Sequence, residues 1–110
     1  MPDTLSRIYG PTALGGTGDQ TLFTGTALHI YTLKEINVVN GDTDAVSLTF
    51  GVGGVGVGHD VIGPFSVPAG GSAQWEGLEI LTGAEELHVT VATSGTPGNV
   101  TVSINGLDQS

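Results

Sequence analysis

The sequence predicts an all-β chain, an antiparallel β-sandwich of jelly-roll type with about seven to eight short strands, and three observations carry that expectation. Apolar residues recur with a period of two, which puts every second side chain on one face of a strand. The alternating runs are rich in Val, Ile and Thr, whose branched Cβ atoms suit a pleated surface. Turn-forming residues separate the runs at short intervals, and no window holds the i, i+3, i+4, i+7 pattern of an amphipathic helix.

Residues 1–20 stand apart from the rest. Their Pro11 and the glycines at 15, 16 and 18 read as an N-terminal arm, or alternatively as a first edge strand, ahead of a sandwich domain over 21–110. A weak strand follows at 21–24. Over 31–38 the parity changes midway: Tyr31 and Leu33 share one face, Ile36 and Val38 the other, with Lys34 and Glu35 between. Asn40-Gly41-Asp42 then signals a hairpin turn, because Asn and Gly accept the positive φ such turns need. Val46, Leu48 and Phe50 alternate with Ser47 and Thr49 in a secure strand, and 61–67 forms a weaker one that Pro64 marks as an edge or a bend.

Ala73 and Trp75 precede Leu78 and Ile80 with a second change of parity, and Gly77 sits at the break where a β-bulge fits. Leu87, Val89 and Val91, then Val100, Val102 and Ile104, complete the set with regular alternation. The stretches 68–71, 82–84 and 94–98 punctuate these later strands.

At 110 residues the chain holds one modest core. Its 38% hydrophobic content suffices to fold it, and only 12% of residues are charged, about half the usual share. Eleven carboxylates face only Arg7 and Lys34, for a net charge of −9. Two cations cannot neutralise a run of phosphates, so neither nucleic acid nor an anionic membrane is an expected partner. With no cysteine, disulfides and thiolate metal sites are excluded. No stretch approaches the ~18 apolar residues of a membrane span, and no secretory signal pattern opens the chain.

Motifs that carry chemistry are thin. Gly51, Gly53 and Gly56 satisfy G-x-G-x-x-G in form, but that fingerprint needs a helix to receive a pyrophosphate, and Val57, Gly58, His59 and Asp60 lead into a strand. Asn40, Asp42 and Asp44 have the spacing that opens a calcium loop, yet Ala45 stands where a Gly is required and Gly51 where a Glu is, so a polar hairpin turn explains them better. His29, His59 and His88 lack ligand-like spacing.

Glu76 with Glu79, or Glu85 with Glu86, is a carboxylate pair of the kind any acidic protein carries. There is no G-x-S-x-G elbow, and Trp75 reads as core or interface rather than a sugar platform. Asn99-Val100-Thr101 is a sequon only in a eukaryotic secretory route. No enzyme and no cofactor are expected.

One resemblance spans about residues 6–107. Ser6-Arg7-Ile8-Tyr9-Gly10-Pro11-Thr12-Ala13-Leu14-Gly15 is similar to the start of small proteins encoded among the virion genes of tailed bacteriophages, many infecting actinobacteria. Thr21-Leu22-Phe23-Thr24, the strand from Leu33 to Asn40, the turn from Phe65 to Gly70, Trp75-Glu76-Gly77-Leu78, Leu81-Thr82-Gly83-Ala84-Glu85 and Ser103-Ile104-Asn105-Gly106 resemble successive strands and turns of those proteins. The resemblance implies a minor tail or tail-tip-associated virion protein, with a capsid decoration protein as the near alternative and a host receptor- or carbohydrate-binding module as another. It implies no catalytic residues.

The expected partners are other virion proteins and further copies of the chain in a homo-oligomer. The expected place is the exterior of the particle, after synthesis in the host bacterial cytoplasm. Leu5, Ile8 and Tyr9 of the arm, and Val52, Val55 and Val57 of the Gly/Val loop, are the expected assembly contacts.

Overall fold

The computed structural model describes residues 6–14, 17–54, 58–93 and 99–109. Eight strands account for most of them: β1 (Ser6–Ala13), β2 (Gly18–Thr24), β3 (Ile30–Asn40), β4 (Val46–Val52), β5 (Asp60–Val67), β6 (Ser72–Thr82), β7 (Glu86–Thr93) and β8 (Val100–Gln109). They form two four-stranded antiparallel sheets, ordered β1-β8-β3-β6 and β2-β7-β4-β5. The first strand pairs with the last, the second with the seventh, the third with the sixth and the fourth with the fifth. This is one long hairpin rolled up on itself, the jelly-roll order. The fold class read from the sequence is therefore the observed one.

The core lies between the sheets, and the central strands supply most of it. Leu33, Ile36 and Val38 of β3 and Val100, Val102 and Ile104 of β8 face Val46, Leu48 and Phe50 of β4 and Leu87, Val89 and Val91 of β7. Edge strands give less, with Leu22 from β2 and Leu81 from β6. The period-two pattern is cleanest where a strand has neighbours on both sides, because only there does each alternate residue have to be apolar.

Both parity changes are real and fall on the same rung. Between Leu33 and Glu35 the register slips against β8, with Lys34 as the extra residue, and on β6 the pair Gly77 and Leu78 lies opposite Lys34. A Cβ on Gly77 would sit 2.6 Å from the Trp75 ring, so the glycine both permits the bulge and lets the indole fold over it. Trp75 packs half-buried against the core.

Residues 6–13, which the sequence leaves between an arm and a strand, form β1 at the edge of the first sheet. Its register with β8 shifts twice, between Arg7 and Tyr9 and between Tyr9 and Thr12. That irregularity is why its alternation is hard to read.

Candidate functional site

The described surface has no cleft, and no group of three or more His, Asp or Glu side chains among the described residues is placed to hold a metal ion. The polar networks and exposed apolar residues of the described surface cluster at the two ends of the sandwich and on the outer faces of the sheets.

At one end the connections β3–β4, β5–β6 and β7–β8 meet. Asn40, the fully buried polar residue there, donates from Nδ2 to the carbonyls of Asp44 (2.9 Å), Val67 (3.2 Å) and Pro68 (3.3 Å). Its Oδ1 accepts from the Asp42 N–H at 3.0 Å, and its own N–H donates to the Gly71 carbonyl at 2.8 Å. The Asp42 carboxylate in turn accepts from the Asn99 N–H. The three residues with calcium-loop spacing thus do local structural work, and Asn40 faces the interior. Sequence reasoning saw a turn here but not the lock, whose acceptors lie 27 and 28 residues downstream.

At the opposite end the β2–β3 turn packs on the β6–β7 turn. The His29 N–H donates to the Thr26 carbonyl at 3.1 Å, closing a four-residue turn whose third position, Leu28, has φ = +71°. That is the type II geometry usually given to Gly or Asn. Leu28 is also 93% exposed. Beneath it the turn is tied down on every side. The Thr26 N–H donates to the Tyr31 hydroxyl (2.9 Å), the Gly83 N–H to the His29 carbonyl (2.8 Å) and the Gly25 N–H to the Glu85 carbonyl (3.0 Å).

A row of rings, Tyr9, Phe23, Tyr31 and His29, supports the same turn from below, with successive centroids 6.4, 4.9 and 5.7 Å apart. The His29 imidazole Nδ1 lies 2.7 Å from the Asp108 carboxylate at the end of β8.

On the outer face of the first sheet, Glu35 is held by three carboxamides from three strands. Asn37 (3.0 Å) and Asn105 (2.7 Å) donate to Oε1, and Gln74 (2.9 Å) donates to Oε2. The bonds from Asn37 and Asn105, and then from Gln74, stabilise the carboxylate and lower its pKa below the ordinary value. His88, on the outer face of the second sheet, bridges Glu86 (2.9 Å from Nε2) and Asp19 (3.4 Å from Nδ1). The two carboxylates meet opposite sides of the ring, so the trio does not converge on one point.

The remaining sequence candidates fall as follows. Ile8, Tyr9 and Val52 are half-buried and pack against the chain's own core, while Leu5, Val55 and Val57 lie outside the described residues. The Gly-rich stretch leads from strand into strand: the Val52 N–H donates to the His59 carbonyl at 3.0 Å, and a Cβ on Gly51 would collide with the Gly54 carbonyl. Its described glycines serve a tight reversal of the backbone. Glu85 caps its own turn by accepting from the Thr82 N–H at 2.7 Å, while Glu86 serves His88, so this carboxylate pair is divided between separate tasks. Comparison with known proteins finds no match among family models, curated proteins or solved structures.

Proposed function

We propose that this chain is a structural component of a tailed-bacteriophage particle, a minor tail or tail-tip-associated protein that acts through subunit contacts and carries no catalysis. The observation that supports this reading most is the closed, well-packed jelly roll, whose described residues form no cleft and present outer surfaces instead. Jelly rolls recur as building blocks of viral particles, and the order of motifs along the chain resembles small virion proteins. An acidic surface with two cations in the whole sequence suits the outside of a particle, away from packaged DNA.

Capsid decoration is the second position open to the same block. The test is immunogold electron microscopy of purified particles with antibody to this chain. Label at the tail or its tip supports the first reading, label over the head moves the protein to the decoration role, and particles without label overturn both. Light scattering on the isolated chain adds the oligomeric state, for which a defined symmetric oligomer is the expected result.

A further inference from the structure

Leu28 is the residue in the molecule most at odds with its surroundings. A non-glycine residue at positive φ is disfavoured by its Cβ, and a leucine almost wholly in water gains nothing from burial. The fold nevertheless holds it rigidly, with hydrogen bonds to the turn from two sides and an aromatic row below. Such strain persists only where the surroundings over-determine it, and it gathers at sites of contact.

The leucine is not isolated. Ile30, 44% exposed, lies two residues on, opposite Thr82 in the register, and Ile80, 49% exposed, shares that outer face as its diagonal neighbour. The rim of this apolar ridge is acidic, with Asp108 against His29 and Glu85 in the facing turn. Neither cation of the chain belongs to these turns.

We propose that the Leu28 end is a docking knob for a different protein, one that presents an apolar patch bordered by lysine or arginine. A second copy is the wrong occupant of this end, because it would bring the same acidic rim to the contact. Leu28 inserts as the anchor, Ile30 and Ile80 extend the apolar contact, and the carboxylates select the partner by charge. The proposal deepens the reading of the chain as a passive assembly module, and rests on it only for the identity of the partner.

The experiment uses the full chain, isotopically labelled, with a short peptide alternating leucine and lysine as the probe and its leucine–glutamate counterpart as the control. Amide shifts confined to the Leu28 turn, the facing Thr82–Glu85 turn and the end of β8 are expected with the first peptide only, weakening as salt is raised. Leu28→Ser lowers that affinity about tenfold or more, the loss of one buried leucine. Val61→Ser, an exposed valine on β5, leaves it unchanged.

Leu28→Gly gives the second readout: relief of the positive φ raises the melting temperature by about 3–6 °C while docking falls. Shifts spread over every acidic surface and indifferent to Leu28→Ser overturn the proposal. So does a Leu28→Gly protein no more stable than the parent. Self-association abolished by Leu28→Ser overturns it in favour of a second copy. A docking result that holds for a protein missing from purified particles sinks the virion reading and leaves the knob standing.

Discussion

At one end of the sandwich a buried asparagine ties two connections together from inside, and at the other a leucine stands in solvent on a turn braced from below. Both ends are rigid, but the rigidity serves different ends. Around Asn40 each polar group finds a partner within the molecule, and the side chain fits the backbone it sits on. Around Leu28 the backbone conformation opposes the side chain, and the side chain stands almost wholly in solvent. The first pattern is what folding stability alone selects. The second spends stability on presenting a surface, which separates a structural lock from a contact site.

Three substitutions break or sharpen this contrast. The largest effect is expected for Asn40→Ala. It removes the donor to the buried carbonyl of Val67 and to the half-buried ones of Asp44 and Pro68, and should destabilise by about 2–4 kcal/mol in urea unfolding. A loss under about 1 kcal/mol would mean that water replaces the amide and the end is not locked by it. Next is Gly25→Ala, at the Leu28 end, where a Cβ would collide with the Gly83 carbonyl and lie 3.0 Å from the Tyr31 ring. Separating the two turns should cost about 1–3 kcal/mol and loosen amide exchange at Gly83 and Glu85, while the Asn40 end keeps its protection.

The smallest is a pH effect at Glu35, which belongs to neither end. Hydrogen bonds from Asn37, Asn105 and Gln74 favour its ionised form, so its pKa is lower folded than unfolded. The stabilisation is complete above the unfolded carboxyl value and disappears as pH falls through the folded one. Glu35→Gln should therefore be less stable than the parent near neutrality and equal to it in strong acid. Parallel urea titrations check this, and a pH-independent difference would assign the role to packing instead.

The alternation of β4, β7 and β8 is plain in the sequence because each is paired on both sides and sends three successive alternate residues into the core, and the bulges at Lys34 and Gly77 appear there as parity slips. The status of residues 6–13 stays open at that level, since an edge strand with two register shifts needs no strict alternation. The Asn40 lock and the strained Leu28 escape sequence reading altogether. One depends on carbonyls that only the rolled topology brings close, and the other stands beside Ala27 in a short turn, a composition with no pattern of its own. The Glu35 cradle is equally hidden, because its donors come from β3, β6 and β8.

The rolled hairpin also fixes an order of events. Of these four pairs only β4 with β5 joins consecutive strands, and each further pair, β3 with β6, β2 with β7 and β1 with β8, closes a longer loop than the last. Such non-local pairing makes for slow folding. During synthesis β1 is made before the other seven strands and has no partner until β8 is free. A nascent chain therefore carries an unsatisfied strand edge while the six strands between them are made, and crowding among neighbouring nascent copies is where this fold is most exposed to mispairing.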